Sequence, residues 1–416
     1  MKKNSSTFID NLSLPIHRWF RYTAGFSAEW VENEVSKRLT KTNKESFTVL
    51  DPFSGSGTTL LACDKLGVNS IGIEAHPFVA KIAYTKLLWE TDTLKIKKFA
   101  EKVLEKAQSD LSLTDEYPAI VLKCYDDENL KKIDHLKKAI LTCFDGSNES
   151  KLIRLAFVSI LRCSSHAGTA SWQYVLPNKT KAKVADAFSA FDNQINVMID
   201  DITFAQQSHF EKKSKLYHHD ARKKLPISDN SVDFIITSPP YANNYDYADA
   251  TRLELSVLGE IKEWSDLQTI IRPGLVRSCT QMVSKNKKLT YDYIEDPALA
   301  VIHDELLDIV KKLDEEKENH GGKKNYHTMI TLYFLDLAYI WRNLRSVCKD
   351  GAEVCFVVGD SAPYGIYVPV DEWLGKLAVS AGFKSYHFEK LRDRNIKWKN
   401  RKHRVPLKEG RLWVEG

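Results

Sequence analysis

The chain of 416 residues lacks several features that would place it in a protein class at once. Its seven cysteines, scattered from Cys63 to Cys355, form no Cys-x-x-Cys pair, so neither a zinc cluster nor a disulfide framework is indicated. No stretch approaches the ~20 apolar residues of a membrane-spanning helix, and the N-terminus leads into no apolar signal core. We therefore expect a cytoplasmic protein with reduced thiols and no membrane association.

A strong charge of one sign is also missing. The formal net charge of +5 at pH 7 permits a polyanionic partner without demonstrating one. Hydrophobic residues make up 43% of the chain, enough for a sizeable core that folds without disulfides or a structural metal.

Residues 237 to 241 read Thr-Ser-Pro-Pro-Tyr and directly follow the apolar run 232–236. Proline fixes its own φ and keeps the residue before it extended, so the carbonyls of Ser238 and Pro239 should point into a cleft. Such a ledge can accept hydrogen bonds from an exocyclic amino group while Tyr241 stacks on the ring that carries it. The pattern favours a site at which the amine of a nucleobase reacts.

A second motif lies far upstream, where a predicted strand (47–51), a glycine turn (52–59) and a predicted helix (60–66) follow in order. Gly55 and Gly57 allow close approach of a ligand to the backbone, and the next predicted strand ends at Glu74, which can bond a ribose diol. A P-loop would need lysine after Gly57, and a nicotinamide fingerprint would need a third glycine where Leu60 stands. Taken alone, the turn could still be purely structural.

The two motifs together resemble the S-adenosylmethionine-dependent amino DNA methyltransferases, and the Ser-Pro-Pro-Tyr form resembles their N4-cytosine branch. The resemblance implies an α/β, Rossmann-like class I methyltransferase fold. Such a fold has a mainly parallel seven-stranded sheet with helices on both faces, here with added helical insertions.

The resemblance also implies roles for individual residues, with S-adenosylmethionine as cofactor. The implied catalytic residues are Ser238, Pro239, Pro240 and Tyr241. The implied cofactor-binding residues are Phe26, Asp51, Pro52, Phe53, Ser54, Gly55, Gly57, Thr58, Thr59, Glu74, Asp220 and Thr237. The proposed chemistry requires neither a metal nor a covalent nucleophile.

The domain organisation predicted from these motifs divides the core into three parts separated by two insertions. The core parts are 1–89, which binds the cofactor, 213–254, which is catalytic, and 326–416; the insertions are 90–212 and 255–325. No recognition domain is expected after the last predicted strand (411–415), so the insertions should read DNA. Arg272, Arg277, Lys397 and Arg401 are candidate phosphate contacts, although the basic stretch around Lys397 is equally typical of a solvated loop.

The predicted function is methylation of the N4 amine of a flipped-out cytosine in DNA, for restriction-modification or for marking host DNA. Many N4-cytosine enzymes place the catalytic motif before the cofactor motif, and here the order is reversed, which keeps an N6-adenine enzyme open. An RNA amino methyltransferase and a catalytically silent DNA-recognition subunit are further alternatives. The expected partners are double-stranded DNA in the nucleoid and a cognate restriction endonuclease, and the sequence does not indicate an oligomeric state.

Overall fold

A computed structural model describes residues 8–22, 25–108, 115–170, 174–321, 324–394 and 405–416. The β-strands of this part of the chain are β1 (Thr48–Asp51), β2 (Asn69–Glu74), β3 (Ala167–Thr169), β4 (Val175–Thr180), β5 (Ser214–His218), β6 (Val232–Thr237), β7 (Cys348–Gly359), β8 (Ser385–Arg394) and β9 (Leu407–Glu415).

Seven of these strands form one sheet in the order β5-β2-β1-β6-β7-β9-β8. Strands β5, β2, β1, β6 and β7 pair in parallel, whereas β9 runs antiparallel between β7 and β8. In the sheet, β2 and β5 lie on one side of β1, and β6, the next strand of this sheet in the chain, lies on the other side of β1. In open α/β sheets a ligand binds at such a switch point, outside the carboxyl ends of the strands. The predicted mainly parallel seven-stranded sheet is confirmed.

The α-helices surround this sheet and form the insertions. In chain order they are α1 (Ala28–Leu39), α2 (Thr58–Leu66), α3 (Pro77–Lys86), α4 (Thr93–Ala107), α5 (Ala119–Leu122), α6 (Asp127–Cys143), α7 (Asn148–Ile160), α8 (Ala187–Gln207), α9 (Arg252–Val257), α10 (Leu267–Ile270), α11 (Thr290–Ile294), α12 (His303–Glu316), α13 (Tyr326–Val347) and α14 (Val370–Ser380).

Both faces of the sheet are covered because successive strand residues point in opposite directions. On β6, Phe234 and Ile236 pack with the apolar residues of α1 and α2, while Ile235 packs with α13 and α14 on the other face. All three side chains are fully buried. This alternation within an almost continuous apolar run is typical of a central parallel strand, and the predicted covering of both faces by helices is confirmed.

The first insertion contains helices α4 to α8 and a two-stranded hairpin formed by β3 and β4. Helical spacing of apolar residues in the sequence predicts helices at 94–104 and 151–161. The first lies within α4, and the second lies within α7 except for its last residue. The small polar, aromatic and basic residues of 163–183, Trp172 among them, predict a DNA contact or a solvated loop. The segment contains both strands of the hairpin. Trp172, which supported the DNA interpretation, lies outside the described residues.

The second insertion corrects one prediction. The mixed charges of residues 304–317 predict an exposed helix, but α12 buries Leu306, Val310 and Leu313 completely in the core it shares with α13. Spacings of four and three residues place these three side chains on one face of α12. Most other residues of the helix are charged, and they conceal this apolar face in the sequence. The boundaries of the two insertions as separate domains stay a prediction.

Two features are absent from the described residues. No helix there is long and apolar enough to cross a membrane. No group of three or more histidine, cysteine, aspartate or glutamate side chains there could hold a metal ion.

Candidate active site

Asp51, the last residue of β1, lies at the centre of the candidate site with only 1% of its surface exposed. Its Oδ1 accepts hydrogen bonds from the Thr237 hydroxyl at 2.6 Å and the Phe53 N–H at 3.1 Å, and its Oδ2 accepts one from the Thr59 hydroxyl at 2.6 Å. Burial raises the pKa of this carboxyl to about 6, although these hydrogen bonds oppose the rise. Asp51 therefore joins the upstream turn to the Thr-Ser-Pro-Pro-Tyr motif.

The glycine turn bends the chain from β1 into α2. Gly57 adopts a left-handed conformation with φ of 87° at the N-cap of α2, and its N–H donates to the Ser54 carbonyl at 2.9 Å. Ser54 itself is buried, with its hydroxyl 3.0 Å from the Asp51 carbonyl. The N–H groups of the first turn of α2 face the mouth of this bend, where they favour a carboxylate or another anion.

Glu74 ends β2, beside Asp51 in the sheet. Its carboxylate accepts hydrogen bonds from the Gly55 N–H at 2.8 Å and the His76 N–H at 2.7 Å. Burial raises the pKa of Glu74 to about 7, and the neighbouring Asp51 raises it further. His76 is buried and its pKa is lowered to about 3, so the imidazole is neutral and supplies no compensating charge.

Asp220 follows β5, the next strand outward in the sheet. The Arg222 guanidinium holds its carboxylate through Nε at 2.9 Å and Nη2 at 2.8 Å. Asp51, Glu74 and Asp220 thus stand at the carboxyl ends of three neighbouring parallel strands, in the order that the resemblance assigns to the methionine, ribose and adenine parts of the cofactor.

These residues fit S-adenosylmethionine chemically. Two buried carboxyls with raised pKa values need a cation to favour their ionised form, and this cofactor carries an ammonium and a sulfonium. Its ribose hydroxyls are donors suited to Glu74, and its carboxylate suits the N-terminus of α2.

The candidate catalytic ledge begins where β6 ends. The Ser238 hydroxyl donates to the Val357 carbonyl at 3.2 Å, and within the described residues no donor reaches the Pro239 carbonyl. The half-buried Tyr241 donates its backbone N–H to the Tyr247 hydroxyl at 3.4 Å. Burial raises the pKa of the Tyr241 phenol, so the ring stays neutral near pH 7.

Two further tyrosines support the loop behind the ledge. The Tyr245 ring contacts Tyr247 edge-on with centroids 4.5 Å apart and lies 5.4 Å from the ring of Tyr174, next to β4 of the first insertion. The Tyr174 hydroxyl also accepts the Asp246 N–H at 2.7 Å. The first insertion therefore supports the aromatic wall behind Tyr241.

The sequence is similar to known DNA-modifying methyltransferases. A family model for DNA methylases of the N6 and N4 type matches residues 17–85, which contain the glycine turn and Glu74. Over 92% of its length the chain is 28% identical to Type II methyltransferase M.BsoBI of Geobacillus stearothermophilus, of which 82% is covered. It is 29% identical over 91% of its length to Type II methyltransferase M.AvaI of a Nostoc species, of which 81% is covered. A shorter match, 41% identical over 88 residues, covers 21% of this chain and 14% of Type II methyltransferase M.MjaII of Methanocaldococcus jannaschii.

The chain is similar to amino DNA methyltransferases, in residues 17–85 to the family model and over most of its length to two Type II methyltransferases. It is a methyltransferase enzyme, and its cofactor is S-adenosylmethionine.

The structure brings most of the predicted cofactor residues of this methyltransferase together around the glycine turn. Pro52 and Thr58 are buried there, and Phe53 is half-buried against Phe356. Phe26, in contrast, is only 5% exposed and packs edge-on against Trp30 in the core beneath α1. A contact between Phe26 and the cofactor stays a prediction.

Two of the candidate phosphate contacts of the methyltransferase are held in ion pairs within the protein. Arg272 is only 3% exposed, forms a 2.5 Å ion pair with Asp246 and stacks over Trp264, so it cannot present its charge to DNA in this arrangement. Arg277 binds both carboxylate oxygens of Asp336 on α13. These guanidiniums hold the second insertion against the core. Lys397 and Arg401 lie outside the described residues, and their role stays a prediction.

Sequence reasoning missed Arg394 at this site. It was grouped with a basic surface loop, but it is the last residue of β8 and its guanidinium lies over the Tyr241 ring, 5.5 Å from the centroid. The strand order reveals this position. Strand β9 runs antiparallel to both β7 and β8, so the carboxyl ends of β7 and β8 lie at the same edge of the sheet.

Proposed function

We propose that this methyltransferase transfers a methyl group from S-adenosylmethionine to the exocyclic N4 amine of a flipped-out cytosine in DNA. The observation that carries the proposal is the 2.6 Å hydrogen bond between Thr237 and Asp51, which fixes the ledge beginning at Ser238 next to the cofactor turn. The ledge is therefore suited to holding an amine beside the methyl donor.

The chemical problem is the weak nucleophilicity of the amine, whose lone pair is delocalised into the ring. Hydrogen-bond acceptors at the ledge, the Ser238 hydroxyl and the Pro239 carbonyl, can draw its N–H groups out of the ring plane and turn the lone pair towards the donor. S-Adenosylmethionine, when bound, supplies an electrophilic methyl group on a sulfonium. Orientation and placement of charge then provide most of the rate enhancement.

No strong base is needed before the transfer. The methylated amine is cationic and loses its proton readily, so serine can stand at a position where a carboxylate would otherwise be required. A base within a duplex cannot reach the ledge, so the target nucleotide has to leave the helix. Tyr241 is placed to stack on the extruded base, with Tyr245 and Tyr247 forming the wall behind it.

DNA as the substrate is supported by the relatives, because M.BsoBI and M.AvaI are Type II methyltransferases and align over most of this chain. We extend this to a role in restriction-modification, with a cognate endonuclease as partner, in the cytoplasm. Cytosine is favoured by Ser238, which replaces the aspartate common in N6-adenine enzymes. The order of the two motifs keeps N6-adenine as the second candidate.

Nucleoside mass spectrometry tests the proposal directly. Purified protein is incubated with unmethylated DNA, or with RNA, and methyl-labelled S-adenosylmethionine, and the nucleic acid is digested to nucleosides. We expect labelled N4-methylcytosine from DNA. N6-methyladenine would overturn the assignment of cytosine, labelled RNA alone would overturn the assignment of DNA, and cofactor binding without methyl transfer would indicate a silent recognition subunit. Single-molecule sequencing of the product gives the recognition site.

A further inference from the structure

Arg394 occupies the substrate side of the site rather than the protein surface. Its side chain is 19% exposed, and its Nη1 donates to the Asp360 carbonyl at 3.1 Å, just beyond the end of β7. Its guanidinium carbon is 5.5 Å from the centroid of the Tyr241 ring, on which the target base is proposed to stack.

The surrounding residues make room for this guanidinium and balance its charge. A Cβ added to Gly359 would lie 2.5 Å from Arg394 Nη1, so only glycine at the end of β7 leaves space for the side chain as it stands. The carboxylate of Glu409, which is 9% exposed, lies 3.6 Å from Arg394 Nε. A positive charge held beside the ledge by several residues indicates a ligand with acceptor atoms.

The described contacts use Nη1 and Nε. Within the described residues no acceptor lies within hydrogen-bonding distance of Nη2, whose N–H groups can therefore serve a ligand. These N–H groups are suited to a carbonyl oxygen on the edge of a flat ring.

We infer that Arg394 selects cytosine as the target base by donating a hydrogen bond from Nη2 to its O2 atom. With the N4 amine at the Ser238 ledge, the same ring edge presents N3 and then the O2 acceptor. The corresponding edge of adenine presents N1 and then a C–H group where cytosine has O2, so Nη2 has no acceptor there. The inference rests on the proposed function and deepens it, because it names a residue that distinguishes the two candidate bases.

A double-mutant cycle between Arg394 and the base tests the inference. The substrates are unmethylated duplexes that contain the recognition site. Their target position carries either cytosine or 2-thiocytosine, whose sulfur is a poor hydrogen-bond acceptor. For cytosine, we expect Arg394→Met to lower kcat/KM by about tenfold, the scale of a lost base contact. For 2-thiocytosine the wild type and Arg394→Met should be nearly equal, because the contact is already missing.

Arg392→Met is the matched control. Arg392 lies on the same strand and binds the same Glu409 carboxylate at 2.7 Å, but 48% of its side chain is exposed. Its loss should leave the preference for cytosine over 2-thiocytosine unchanged, and calorimetry should show wild-type affinity for S-adenosylmethionine in both variants. If Arg394→Met does not fold, Gly359→Ala keeps the arginine but displaces its guanidinium, and should show the same selective loss on cytosine.

The outcomes separate this inference from the proposed function. A wild type that forms N4-methylcytosine while Arg394→Met loses activity equally on both duplexes, or loses none, overturns only the role of Arg394. A wild type that forms N6-methyladenine overturns the proposed function, and with it the premise of this inference.

Discussion

Thr237 and Asp51 are 186 residues apart in the sequence, and their side chains are joined by a 2.6 Å hydrogen bond at the bottom of the candidate site. Thr237 is the residue directly before Ser238, and Asp51 is the residue directly before the glycine turn. The carboxylate proposed to hold the cofactor and the ledge proposed to hold the amine are therefore fixed relative to each other. Alignment of two reactants depends on such a rigid link.

Thr237→Val should weaken both functions of the site. The substitution keeps the shape of the side chain but leaves Asp51 with one hydrogen bond fewer, and a hydrogen bond to a charged group contributes about 1.5–3 kcal/mol. We expect about a tenfold or larger loss in affinity for S-adenosylmethionine, measured by calorimetry, together with lower kcat. Thr237→Ser restores the hydroxyl and should recover most of the affinity; equal binding by the valine and serine variants would contradict the role of this bond.

Ser238→Ala should separate catalysis from cofactor binding. Ser238 belongs neither to the glycine turn nor to the pair of carboxylates proposed to bind the cofactor, so its loss should leave the affinity for S-adenosylmethionine nearly intact. Turnover should fall by about 10²-fold or more, the scale of losing an oriented polar group at a reacting centre. Radiolabelled methyl transfer under single-turnover conditions measures the effect. Ser231→Ala, at the opposite end of β6, is the matched control, and a Ser238→Ala enzyme as fast as this control would refute the assigned role.

Cofactor affinity should rise with pH. Burial raises the pKa of Asp51 to about 6 and that of Glu74 to about 7, so the free protein holds protons that a cationic ligand must displace. Below its raised pKa, each carboxyl that has to ionise should cost about tenfold in affinity per pH unit, and the affinity should level off above about pH 8.

The same groups act oppositely on the stability of the free protein. A carboxyl whose pKa is raised on folding stabilises the fold at low pH, and this contribution is lost as the pH rises through the folded value.

For cofactor binding, calorimetry in buffers of different ionisation enthalpy should detect proton release near pH 6. Glu74→Gln should bind more weakly but with a flatter pH dependence, and an equally steep dependence would show that Glu74 is not one of the groups involved.

Tyr174→Phe should reveal whether the first insertion supports the base pocket. The change removes the hydroxyl that accepts the buried Asp246 N–H, and an unsatisfied donor costs about 1–3 kcal/mol. The loop behind Tyr241 should loosen, which raises KM for DNA and lowers kcat while the affinity for S-adenosylmethionine stays unchanged. Tyr84→Phe, at an exposed tyrosine of α3, is the control. A Tyr174→Phe variant with wild-type kinetics would show that the hairpin acts independently of the pocket.

Local patterns predicted the sheet and the two motifs because their signals lie within short stretches of sequence. Each of these signals lies within one strand, one turn or one helix. Examples are the apolar run before Thr237, the glycine turn and the helix Tyr326–Val347. The positions of charged side chains could not be predicted in this way, because they depend on partners outside the local stretch of sequence. Arginines in polar stretches are mostly exposed, yet the partner of Arg272 lies 26 residues before it and draws its side chain into the interior. Arg394 was missed for the same reason, because only the completed sheet places it over Tyr241.

Arg272→Met should therefore destabilise the protein rather than weaken its electrostatic attraction to DNA. Removing one partner of a buried ion pair leaves the other charge uncompensated, which typically costs about 3–5 kcal/mol. Thermal unfolding should show a clear drop in Tm, and Asp246→Asn should show a similar one. Binding of DNA by the folded fraction should keep the wild-type dependence on salt, because no phosphate contact has been lost. A normal Tm combined with a shallower salt dependence would instead return Arg272 to the DNA-binding surface.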